Sequence, residues 1–118
     1  MAKIVNPYRR GEIWWVSLDP TVGFETQKTR PCLIIQNDAG NKISRLTTIA
    51  PLLSVKNLKF VVNIQPTPTN GLDKERGLHL NQIRAVDASR VKNKLGEIDI
   101  AYWDDIHRAI NIHLGFLS

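Results

Sequence analysis

Cysteine is nearly absent from this chain of 118 residues; Cys32 stands alone. One thiol builds no intramolecular disulfide framework, so a stapled secreted scaffold is excluded and a cytoplasmic home is expected. Histidine is scarce too, with three residues, and no Cys/His spacing fits a zinc site. No apolar run approaches the ~18 residues of a membrane span. Met1 to Arg10 contain no apolar leader segment. No phosphate-cradling glycine loop and no Ser-His-Asp set can be read. What remains is a soluble protein of one domain, residues 1–118, with no metal or cofactor signature.

Charge is the first positive signal. Sixteen Lys and Arg oppose eleven Asp and Glu, giving +5. Residues 1–96 hold fifteen basic and seven acidic side chains, a net +8, and residues 97–118 hold one and four, a net −3. A basic body with an acidic end fits a polyanion partner, or a merely solvated surface.

Glu12 to Leu18 is short, β-branched and aromatic, and reads as a strand ended by Asp19-Pro20. Residues 19–29 have no period and form a long loop, the kind that often carries function. Pro31 to Ile35 is a continuous apolar run, hence a strand buried on both faces. Asn37 to Asn41 is turn chemistry. Thr47 to Leu53 is a third strand, with an edge or bulge expected at Pro51. Residues 59–64 alternate as a fourth, and Leu78 to Val86 read as a fifth with Leu78, Leu80, Gln82 and Arg84 on one face. Helix is expected only at the end, where Trp103, Ile106, Ile110, Leu114 and Leu117 fall at helical spacing, with Asp99 as cap and Gly115 as stop. Short antiparallel strands followed by one helix predict a mainly β (α+β) fold, a small bent sheet or barrel.

Three features bear on chemistry. Arg30 joins the long loop to a buried strand; it either grips phosphate or pairs with a carboxylate. Lys28, Arg30, Arg76, Gln82 and Arg84 form a polar, basic set, suited to backbone phosphates or to solvent. Glu25 is the only carboxylate in residues 20–29. Cys32 reads as a core thiol. His107 and His113, six residues apart on a helix, point about 120° apart and make poor joint ligands. Trp14 and Trp15 point to opposite faces of one strand.

Arg10-Gly11-Glu12-Ile13-Trp14-Trp15-Val16-Ser17-Leu18-Asp19-Pro20-Thr21-Val22-Gly23, followed by Thr29-Arg30-Pro31-Cys32-Leu33-Ile34-Ile35-Gln36-Asn37-Asp38, resembles the MazF/PemK family of toxin endoribonucleases. Asn81-Gln82-Ile83-Arg84-Ala85-Val86-Asp87 matches that family's Gln-Ile-Arg segment. The likeness runs from about Arg9 to Leu114. It implies an SH3-like antiparallel β-barrel with a C-terminal helix, working as a homodimer. It also implies the toxin of a type II toxin–antitoxin pair: a metal-independent endoribonuclease that cuts single-stranded RNA or mRNA at short sequences. Products would carry a 2′,3′-cyclic phosphate and a 5′-hydroxyl, and an acidic antitoxin tail would cover the RNA groove.

The resemblance assigns residues. Arg30 takes the place of the family's catalytic arginine and suits stabilisation of a phosphorane-like transition state. Glu25 takes the place of the loop glutamate and is the expected base for the 2′-hydroxyl. Ser54 aligns with the hydroxyl residue, usually Thr, after the third strand, allowing one inserted residue before it. Gln82 and Arg84 fall beside the RNA groove, the amide suited to a base edge. Phe24 departs from the usual Ser or His and is expected to stack on a base; Thr26 departs from the usual Gln. Two other readings share the fold. One is a CcdB-like gyrase poison acting through Trp103 to Ser118. The other is a degenerate member that binds RNA or antitoxin without turnover.

Overall fold

A computed structural model describes residues 6–118. The first half of the Met1–Arg10 stretch read as leader-free lies outside those residues.

The apolar run after Gly11 forms β1 (Glu12–Ser17), which pairs antiparallel with β2 (Thr29–Ile34), Ile13 opposite Leu33 and Val16 opposite Arg30. β3 (Leu46–Leu53) follows, then β4 (Val61–Ile64), β5 (Arg76–His79), β6 (Arg84–Asp87) and β7 (Val91–Glu97). Together they make a seven-stranded sheet in the order β4-β5-β3-β2-β1-β7, with β6 paired to β3. Every pairing is antiparallel. The sheet is strongly bent, with register shifts between β1 and β7 at Ile13/Trp14 and Trp14/Val16. The expected mainly β class with a C-terminal helix is what the chain adopts, with the barrel left open rather than closed by a ladder.

A loop fills the open seam. Asn70 is buried and holds residues 65–72 in shape, accepting from the N–H groups of Thr67 and Leu72 and donating to the Gln65 carbonyl. The Glu97 N–H of β7 donates to the Thr69 carbonyl at 3.0 Å. The backbones touch there: a Cβ on Gly71, whose φ is +72°, would stand 2.4 Å from the Leu95 carbonyl oxygen, and one on Gly96 2.4 Å from that of Thr69.

Alternation along the strands divides the core. Ile13, Leu33, Ala50, Leu52, Leu78 and Leu80 pack on one face, under Ile106 and Ala109 of α2 (Trp103–His113). Tyr8, Trp14, Val16, Cys32, Ile34, Ile49 and Val86 pack on the other. β2 is therefore buried on both faces, as its unbroken apolar run implied.

Four expectations need correction. Asn37–Asn41 is not a plain turn: Asn37 accepts from the Gly40 N–H and caps a short helix, α1 (Asp38–Ile43). Pro51 is in a central strand, at the point where the far edge of β3 changes partner from β6, ending at Ile49, to β5, starting at Leu52. The Leu78–Val86 strand is two strands, because Leu80–Gln82 turns as a 3-10 helix and rotates the following residues. That puts Leu80 in the first core and Val86 in the second. α2 stops at His113, so Leu114 and Leu117 are exposed, and Asp99 caps the 3-10 turn Ile100–Tyr102 instead. Trp103 is stacked under Arg10, whose guanidinium carbon lies 3.7 Å from the ring centre. Among the described residues no helix is long and apolar enough to cross a membrane.

Candidate active site

The β1–β2 loop, residues 18–28, is tied down along its length. Leu18 N–H donates to the Lys28 carbonyl at 2.9 Å and closes the loop's base. Arg84 Nη1 donates to the Leu18 carbonyl at 3.2 Å, and Arg90 Nη1 to the carbonyls of Ser17 and Asp19. Glu25 folds the tip: its N–H donates to the Val22 carbonyl while its carboxylate accepts from the Val22 N–H at 3.1 Å. Thr26 donates from both its N–H and its hydroxyl to Oε1 of Gln82. At the far end, Arg30 Nε donates to the Gln27 carbonyl at 3.2 Å. Lys28 is exposed and adopts a left-handed backbone, φ +70°. Such a conformation in a non-glycine residue is uncommon outside tight turns.

Between this loop and the segment around β6 lies a groove of about 350 Å³. Phe24, Glu25 and Thr26 form its loop side; Asn81, Gln82, Ile83 and Arg84 form the other; Leu18, Ile49 and Pro51 are its floor. The floor continues the second core, so the groove opens on the sheet face opposite α2. Glu25 and Phe24 are exposed; Phe24, at 106% relative exposure, packs on nothing.

The predicted site residues distribute as follows. Phe24, Glu25, Gln82 and Arg84 meet in the groove. Arg30 is not among its lining residues, but stands on β2 in step with Cys32 and Ile34, so it rises from the same sheet face. Arg30 and Arg76 border a second cleft of about 330 Å³ with Trp15, which is one-third exposed. Arg76 is held there by a two-pronged ion pair with Asp73, at 3.0–3.1 Å. Ser54 and Lys28 line neither cleft; both are exposed. Ser54 is pinned through its carbonyl, which accepts from His79 Nε2 at 2.8 Å. A carbonyl only accepts, so Nε2 carries the proton.

Sequence reasoning missed two parts of this arrangement. Arg90 was not singled out, yet it anchors the loop root. Thr26 drew attention as a departure, but its partner lies 56 residues away and no local pattern links them. Cys32 is a buried thiol pushed up to about 12 by desolvation, against a smaller opposing pull from Arg84, so it stays protonated and is no nucleophile. Among the described residues no three His, Cys, Asp or Glu side chains cluster closely enough to hold a metal.

The chain is similar to known proteins in sequence and in fold. Endoribonuclease MazF of Staphylococcus saprophyticus is 34% identical over 109 residues, covering 91% of each chain. A crystal structure of MazF from Deinococcus radiodurans matches with a TM-score of 0.79 at 24% identity, over 95% of this chain and 99% of that one. A mycobacterial endoribonuclease solved with its cognate antitoxin matches with a TM-score of 0.74 at 19% identity, over 94% and 98%. At those identities the two structures speak for the fold. The family model described as PemK-like, MazF-like toxin of type II toxin–antitoxin system spans residues 9–114, and with the bent sheet, the C-terminal helix and the loop-walled groove it establishes that the chain belongs to that family.

Proposed function

We propose that the chain is a toxin endoribonuclease that cuts single-stranded RNA at short sequences without a metal. The observation that carries this reading is the groove itself. An exposed carboxylate, Glu25, an exposed aromatic, Phe24, an amide, Gln82, and a cation, Arg84, face one space, with Arg30 on the same sheet face.

The chemistry needs few parts. Glu25 takes the proton of a ribose 2′-hydroxyl. The 2′-oxygen bonds to the adjacent phosphorus, the bond to the 5′-oxygen breaks, and that oxygen takes up a proton to leave as a 5′-hydroxyl. The other product ends in a 2′,3′-cyclic phosphate. Arg30, permanently charged, stabilises the extra negative charge on the phosphorane. The Ser54 hydroxyl hydrogen-bonds a phosphate oxygen. Lys28, Arg76 and Arg84 hold the backbone, Gln82 reads a base edge, and Phe24 stacks on a base.

The protein works as a homodimer in the cytoplasm, and its partner is an acidic antitoxin that occupies the same basic groove. The Staphylococcus relative is named an endoribonuclease and the mycobacterial one was solved with its antitoxin; both support this reading. Pure protein should cleave a mixed RNA pool in EDTA and leave cyclic-phosphate ends. Absence of cleavage by pure dimer across a broad pool would overturn the proposal. Arg30→Ala should cut the rate by a factor of about 100–1,000, the usual loss for a transition-state charge contact. Full activity in that variant would remove Arg30 from the mechanism.

A further inference from the structure

Gln82 is held by its oxygen alone. The Thr26 N–H donates to Oε1 at 3.0 Å, and the Thr26 hydroxyl points at the same atom. A peptide N–H can only donate, so the amide atom facing it must be the oxygen, and the amide's orientation is fixed by its partner. An amide oxygen has two lone pairs, and Thr26 uses both. Among the described residues no acceptor stands on Nε2. Gln82 nevertheless lines the groove. It therefore presents two N–H donors to whatever enters, and no acceptor.

We propose that Gln82 reads one nucleotide by a donor-only contact, selecting a keto base, uracil or guanine, over an amino base, adenine or cytosine. This rests on the reading of the groove as an RNA site. Uracil offers O4, and guanine offers O6 and N7; all are acceptors. A free glutamine recognises adenine differently, donating to N7 while accepting from the N6 amino group. With Oε1 occupied, that second bond is closed. An adenine or cytosine amino group placed there meets N–H groups and goes unpaired. Thr26 is thus a specificity residue that touches no base. It sets what Gln82 can say.

The test is one randomised single-stranded RNA pool, sequenced after binding and after cleavage, with wild type, Thr26→Val, Thr26→Ser and Gln82→Leu. Gln82→Leu locates the nucleotide: it is the position whose base preference that variant flattens. At that position wild type and Thr26→Ser should favour uracil and guanine by about tenfold, the discrimination one good base contact gives. Thr26→Val keeps the backbone N–H but frees one lone pair, so adenine should be accepted to within about threefold. Adenine or cytosine preferred by wild type, no position flattened by Gln82→Leu, or an unchanged bias in Thr26→Val would each overturn the inference. Cleavage without the keto bias sinks this inference and leaves the nuclease reading standing. A keto bias among bound RNAs with no cleavage does the reverse. No binding and no cleavage sinks both.

Discussion

Asn70 concentrates more on one side chain than its place in a surface loop foretells. Its oxygen takes two backbone N–H groups, its amide serves the Gln65 carbonyl, and its own N–H donates to the Thr67 hydroxyl at 3.1 Å. Removing it leaves several buried polar groups unpaired. Asn70→Ala should therefore lower stability by about 3 kcal/mol in urea unfolding; a loss below ~1 kcal/mol would mean that water replaces the amide freely. Glu12 is another buried polar residue with a measurable consequence. Burial pushes its carboxyl up, but hydrogen bonds from Lys94, Trp14 and the Arg9 N–H, with the Lys94 charge, outweigh that and hold it below its ordinary 4.5. A depressed folded value adds stability above 4.5 that is lost as pH falls through the folded value. Wild type should therefore lose more stability than Glu12→Gln between about pH 5 and pH 2. Equal acid sensitivity would show the pair to be inert. In the groove, Glu25→Gln should slow cleavage about 100-fold. An unchanged rate would assign the base to another group.

At the scale of elements, the loop between β1 and β2 is the part to perturb. Its root hangs on Arg90, which directly precedes β7, the neighbour of β1, and reaches the carbonyls of Ser17 and Asp19. Arg90→Met should leave the core intact yet speed limited proteolysis within residues 19–28 several-fold; no change in nicking would show that Arg84 and Gln82 suffice. The sequence made some elements plain and hid others, for physical reasons. β1 and β2 are short apolar runs between prolines and turn residues, and the strand signal survives without any knowledge of neighbours. β7 is Val-Lys-Asn-Lys-Leu-Gly-Glu, too polar to announce itself; it is a strand because β1 offers it an edge some eighty residues away in the chain. α1 contains Gly40, which argues against helix, but Asn37 caps it and Asn41 is buried against Gln36 and Thr47. Gln82 and Arg84 of the groove were legible because Gln82-Ile83-Arg84 is a compact motif, as Arg30-Pro31 is beside it; the Thr26–Gln82 link was not, being a tertiary contact between two ordinary polar residues.

Over the whole molecule, charge and architecture line up. α2 carries Asp104 and Asp105 on the sheet face away from the groove, while Arg84 and Arg30 belong to the groove face. RNA held this way should bind with log K falling linearly in log salt, at a slope near −0.7 for each phosphate neutralised. A filter-binding series would read it; a flat salt response would put the affinity in base contacts instead. The pairing of β1 with β7 also sets an order of events. β1 is made some eighty residues before the strand that covers its outer edge, with Ile13 and Val16 ready to be buried. The 65–72 loop can knot itself locally around Asn70, yet its one bond to Glu97 must wait as well. A chain truncated after β6 would carry a long-lived, uncovered apolar edge, the kind that joins other chains. For this protein, the docking of β7 and the protection of the β1 edge from irregular strand pairing are the same step.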